Sequence, residues 1–194
     1  MPGEIEFDLD ALEHRQRYLL LTSIVVPRPI AWISTEDASG ARNLAPYSYF
    51  NACSITPPIV HFTSIGAGDS IANARATGEF VVNIVHHELA PEMRLATAAF
   101  EAGELVAGAR SSRVTPPRMA RAKVALECRL RETLEIGEGT MAFGDVLHVH
   151  IDPSIWRDGR VDPALLTPIA RLGGLHYTTV REVFRIDGPG DGSN

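Results

Sequence analysis

The most suggestive chemistry in this sequence lies in its hydroxyl side chains, because several sit where the chain must bend or break. Pro46 and Ser48 share one parity of the extended run from Asn43, which sets a hydroxyl beside an apolar surface. Pro46 also lacks an N–H, so a strand passing through it leaves main-chain groups open to a ligand. Ser34 and Thr35 end an earlier extended run just before the turn Asp37-Ala38-Ser39-Gly40, where hydroxyls reach a phosphate or the turn's own backbone. Trp32 alternates with Ile30 and Ser34, a position that suits a core side chain as well as a stacking platform. Ser70 follows Gly68-Asp69 at the start of a helical segment, whose first N–H groups lack intrahelical partners and attract anions. Asp69 reads as the cap of that helix.

Other reactive groups form no recognisable machinery. His148 and His150 share a strand face, but no third ligand accompanies them as a metal site requires. His86 and His87 point to opposite faces if extended. Gly66-Ala67-Gly68 begins like a dinucleotide fingerprint, yet Ile71 stands where the third glycine belongs and no βαβ unit follows. No Gly-x-Ser-x-Gly elbow supports a hydrolase. Cys53 reads as a small buried hydrophobe, and Cys53 and Cys128 make no disulfide framework.

Composition narrows the partners. The net charge is −6, and of the 18 basic residues only Lys123 is a lysine, so any anion clamp uses arginine, hydroxyls or backbone N–H groups. No cationic run suggests nucleic acid. The acidic start lacks the basic head and apolar run of a signal peptide, and no apolar stretch is long enough to span a bilayer, so the expectation is a cytoplasmic protein with reduced thiols. The length of 194 residues suits a single domain, with residues 1–18 as a lead-in and 187–194 as a fraying tail.

The positioning elements read mainly as strands. Residues 8–18 form a short helix on this reading, and Ile24–Thr35, Asn43–Ser54, Ile59–Ser64 and Phe80–Val85 are extended. Asp69–Ala76 and Leu89–Phe100 are helical by pattern and composition. In Val124–Ile136 propensity favours helix, but apolar residues alternate from Val124 through Leu130 to Leu134 and Ile136, with only Glu132 out of step. Alternation wins. After Gly137-Glu138-Gly139 a second arm sets Met141, Phe143, Leu147, Val149 and Ile151 on one face. About six strands with helices at the joins suit a closed or nearly closed barrel, which removes exposed edges.

The run Arg28-Pro29-Ile30-Ala31-Trp32-Ile33-Ser34-Thr35, followed by Asn43-Leu44-Ala45-Pro46-Tyr47-Ser48-Tyr49-Phe50-Asn51 and Pro57-Pro58, resembles the flavin reductase-like family. Thr77-Gly78-Glu79-Phe80-Val81-Val82-Asn83 and Ala170-Arg171-Leu172-Gly173-Gly174 with Tyr177 extend the match over roughly residues 20 to 180. The resemblance implies a six-stranded antiparallel Greek-key split β-barrel of the FMN-binding type. It also implies a homodimer with FMN near the interface, reduced by NADH or NADPH, with electrons passed to a second flavin, a quinone-like acceptor or a partner oxygenase. The cofactor-binding residues it implies here are Trp32, Ser34, Thr35, Ala45, Pro46, Tyr47, Ser48, Ser70 and Arg171. The cofactor carries the hydride chemistry, so no catalytic residue is expected. The family's lysine before the first helix is Gly68 here, and Arg75, Arg171 or a partner subunit's arginine is expected to compensate. An FMN-binding electron carrier without NAD(P)H oxidation is the alternative reading, and a barrel that has lost flavin is a third.

Overall fold

A computed structural model describes residues 3–93 and 108–186. The chain runs through α1 (His14–Ile24), β1 (Arg28–Pro29), β2 (Ala31–Glu36), β3 (Arg42–Tyr47), β4 (Phe50–Ile55), β5 (Pro58–Ile65), α2 (Asp69–Thr77) and β6 (Glu79–Ile84). It continues through β7 (Gly108–Ala109), β8 (Arg118–Met119), β9 (Val124–Ile136), β10 (Gly139–Ile151), β11 (Trp156–Arg157), β12 (Arg160–Val161), β13 (Ile169–Arg171) and β14 (Tyr177–Thr179). Residues 90–93 begin a helical turn, and the rest of the expected Leu89–Phe100 helix lies outside the described residues, as does the tail from residue 187.

The main sheet is antiparallel and has the order β3-β2-β6-β9-β10-β5-β4. It is an open sheet rather than a closed one. Its two edge strands, β3 and β4, are consecutive in the chain and are joined only by Ser48-Tyr49. The single extended run expected from Asn43 to Ser54 is therefore one barrel strand split in two, its first half paired with β2 and its second with β5. This is the split barrel.

Inside it pack Ile33, Phe62, Phe80, Val82, Cys128 and Ala142. Gly144 permits this packing, since a Cβ there would lie 2.3 Å from Cζ of Phe80. β2 is buried on both faces. Its other side carries Trp32 into a second cluster with Ile30, Leu44, Val85, Leu89 and Ile169. The outer side of this region is covered by a strap, residues 108–119, pinned by side chains of the sheet. Ser34 Oγ donates to Pro117 O, Asn83 Oδ1 accepts from Met119 N, and Glu79 accepts from Thr115 N.

The hairpin of β9 and β10 forms as its alternation predicts, with two corrections. A bulge opposite Phe143/Gly144 uses up one residue of β9, so Leu134 and Ile136 leave the interior parity of Leu130 and join Met141 on the outer face. A second bulge at Leu147 divides β10: Ala142 and Val146 pack inward before it, whereas after it Ile151 packs inward and Val149, on the parity of Ile151, stays exposed. Met141 and Phe143 therefore do not share a face with Val149. Cys53 sits at a bulge in β4 and is exposed, not buried, because the register skips it. The N-terminal helix starts at His14 and runs through Leu19-Leu20-Leu21 to Ile24, later than expected, because it is apolar on several sides and shows no clean stripe.

Candidate functional site

The break between β3 and β4 is where unspent polar groups gather. Tyr47, Ser48 and Tyr49 carry three successive hydroxyls, and none makes a hydrogen bond among the described residues. Across from them, Ser64 lies near the end of β5, almost wholly buried, with its hydroxyl also unspent. Ser64 and Tyr47 converge on Gly68: a Cβ at Gly68 would lie 2.8 Å from Ser64 Oγ and 3.6 Å from Tyr47 Oη. Gly68, with φ −146°, is the N-cap of α2, and Asp69 is its first helical residue rather than its cap. The two hydroxyls thus flank the helix end at which free N–H groups favour an anion.

Thr35 and Ser70 hold that helix end in place. Asn43 Nδ2 donates to Ser70 Oγ at 2.8 Å and approaches Thr35 Oγ1 at 3.5 Å, while Asn73 Nδ2 donates to Thr35 Oγ1 at 3.2 Å. Both hydroxyls are fully buried, so the structure brings them together but commits them inward. Ser34 is spent on the strap and Trp32 on the second core. Ala45 and Tyr47 are half-buried and Pro46 is exposed, all on the edge strand beside the break. Arg171 pairs with Arg28 in the β1–β13 ladder. It donates to Gly174 O at 2.9 Å and stands 5.6 Å from the Tyr177 ring centre. Arg75 occupies the last turn of α2 and binds Thr133 Oγ1 and Glu135, so it does not serve the helix start.

Beside the break opens a cavity of about 410 Å³ between α1 and the sheet, lined by His14, Arg15, Tyr18, Thr22, Arg28, Ser48, Tyr49, Ile65 and Glu138. Arg28 is the unusual member, because it is only 6% exposed and has no carboxylate partner among the described residues. Its Nη1 donates to the carbonyls of Thr22 and Val25 at 2.7 and 2.6 Å, and its Nη2 to Leu172 O at 2.7 Å. A cation at the C-terminus of α1 is favoured by the helix dipole. The same guanidinium lies 5.9 Å from the Tyr49 ring centre, and Nε has no partner.

Arg28, Tyr49 and Ser64 carry no functional signal of their own in the sequence, although Arg28 and Tyr49 stand inside the motifs of the resemblance; Gly68 is marked there only as the place of the family's lysine. On the outer face, His150 spends Nε2 on Glu127 at 2.5 Å, and its ring meets that of His148 edge-on at 4.8 Å. Burial would raise the Glu127 carboxyl, but hydrogen bonds from the Ser112 and Arg113 N–H groups and from His150 outweigh it and hold the carboxyl below its usual value.

Comparison with known proteins places the fold in a family. The model of the flavin reductase-like domain matches residues 23–165. An uncharacterized protein of Deinococcus radiodurans is 37% identical over 199 residues, covering 93% of this chain and 88% of that one. Nitrilotriacetate monooxygenase component B from Bacillus cereus superposes with a TM-score of 0.90 at 26% identity, over 95% of this chain and 100% of that one. The 2-nitrobenzoate 2-nitroreductase NbaA of Pseudomonas fluorescens superposes at 0.89 with 29% identity, over 96% and 97% of the two chains. The chain belongs to the flavin reductase-like family.

Proposed function

We propose that this protein binds FMN at the β3–β4 break and uses NADH or NADPH to reduce it, passing the electrons to a second acceptor. The observation that carries the reading is the pair of unspent hydroxyls of Tyr47 and Ser64 at the bare Cα of Gly68, at the start of α2, with the unspent Ser48 next in the chain at the break. Ser64, Gly68 and the first N–H groups of α2 would hold the phosphate. Ala45 to Tyr47, on an edge strand with no ladder partner on one side among the described residues, would offer main-chain groups to the ring, and Ser48, just past the strand's end, its hydroxyl. Bound there, a flavin supplies the hydride-accepting and electron-donating chemistry. The protein's part is to bind, orient and keep water from the ring.

The likeness to a monooxygenase component supports a partner oxygenase as one destination for the electrons, and the likeness to a nitroreductase supports a small organic acceptor as another. A homodimer is part of the proposal: Leu21, Ile24, Val25, Ile65 and Ile136 expose apolar surface that a second copy would cover. Steady-state oxidation of NADH and of NADPH with added FMN tests the activity. Turnover that depends on FMN is the expected result. Tight FMN binding with no oxidation of either donor would leave an electron carrier instead.

A further inference from the structure

We infer that the cavity between α1 and the β3–β4 break is a binding site for a small aromatic carboxylate, held by Arg28 and Arg15 between the tyrosines Tyr18 and Tyr49. The site is independent of flavin in its occupancy. Its use, as the seat of an electron acceptor, rests on the reading above.

Three features of the cavity specify the ligand. The first is charge. Arg28 and Arg15 both line the cavity, and the one carboxylate in the wall, Glu138, is paired with His14 at 2.8 Å. Arg15 has no partner among the described residues. Arg28 has satisfied both terminal nitrogens with carbonyls, which are neutral, so its charge is uncompensated at 6% exposure and its Nε remains unpaired. A buried guanidinium with a free N–H is costly unless an acceptor completes it, and an anion compensates it best.

The second feature is the aromatic wall. Tyr18 and Tyr49 both line the cavity and are 42% and 36% exposed, with unspent hydroxyls. Tyrosines present a large rigid face at little entropic cost, which favours a flat ring over a flexible chain.

The third is size. At about 410 Å³ the cavity stands at the small end of ligand pockets, ~300–1,000 Å³, which suits one substituted ring rather than a dinucleotide. Its position next to Ser48 sets such a ring beside the proposed flavin edge.

Calorimetric titration with sodium benzoate, and with benzamide as its neutral isostere, tests the site in protein both free of FMN and loaded with it. Benzoate is expected to bind both forms, about tenfold more tightly than benzamide, as one charge-assisted contact warrants. Arg15→Gln, on an exposed side chain without partners among the described residues, and Arg28→Lys, which keeps charge but removes Nε, should each weaken benzoate several-fold while leaving FMN affinity and benzamide binding unchanged. Should Arg28→Lys disturb folding through its carbonyl contacts, Arg15→Gln and the benzamide comparison still decide. Equal affinity for benzoate and benzamide, or no saturable binding of either to FMN-loaded protein, would overturn the proposal. Displacement of benzoate by FMN would also overturn it, by making the cavity the flavin's own slot. Discriminating benzoate binding in a protein that binds no FMN would leave this site standing and remove the flavin reading alone.

Discussion

Ser64 reaches toward Gly68 so closely that the missing Cβ of the glycine would stand 2.8 Å from the serine's Oγ. The pair sets how the start of α2 meets the end of β5, and it explains how a helix entrance with glycine in place of the family's lysine remains suited to an anion. Two unspent hydroxyls and the helix N–H groups take the place of the charge.

Restoring a lysine at this point is therefore not a neutral addition. Gly68→Lys pushes its Cβ against Ser64 Oγ, which turns aside by rotation about χ1, and the double change Gly68→Lys with Ser64→Ala removes the conflict. The single variant should bind FMN about tenfold more tightly than the wild type, from one charge-assisted phosphate contact, and the double variant should keep less of that gain because Ser64→Ala removes a hydroxyl from the phosphate site. The ammonium at a helix N-terminus should cost about 0.3–1 kcal/mol of stability. Fluorescence titration with FMN and thermal melts read both effects.

Glu127 fastens the strap and should make it acid-sensitive. Its carboxyl is held below the usual 4.5, so its stabilising contribution is full above that pH and is lost as the pH falls further. Glu127→Gln should flatten the fall of stability on acidification. Glu127→Ala, which strands the Ser112 and Arg113 N–H groups, should cost on the order of 3 kcal/mol at neutral pH. Urea unfolding across a pH series measures each.

Gly144→Ala tests the barrel interior. The new methyl would meet Phe80 Cζ at 2.3 Å and Cys128 Cβ at 3.1 Å, so the ring must move within a packed core. A loss of about 1–3 kcal/mol is expected, read as a lower melting temperature with the strand signature in circular dichroism retained.

Much of this architecture could be read from side-chain period. The β9–β10 hairpin follows from alternation that outweighs the helical propensity of its Ala, Leu and Glu residues, whereas Asn43 to Ser54 reads as one extended run and conceals the break at Ser48-Tyr49. The bulges could not be read, because a bulge preserves composition and shifts parity. Glu132, the one residue out of step, marked the first bulge without revealing that Leu134 and Ile136 change face. Glu127 shares its strand parity with Arg129 and Arg131, and nothing local announces that residues 112 and 113 return to cover it. Arg28 escaped notice for a similar reason. Its acceptors lie at Thr22, Val25 and Leu172, and only folding collects them. The hydroxyls of Ser34, Thr35 and Ser70 stood in the expected strand end and helix start, but tertiary packing turned them inward to hold the frame of the site.

The most direct measurement is FMN binding by wild type and by Ser48→Trp, followed by quenching of flavin fluorescence. Ser48 is half-buried, lies between two strands and has no hydrogen bond among the described residues, so an indole there should fill the break without unfolding the barrel. One FMN per chain bound by the wild type, and none retained by a variant with an unchanged melt, is the expected result. Equal FMN affinity in the two proteins would contradict the placement of the flavin at this break.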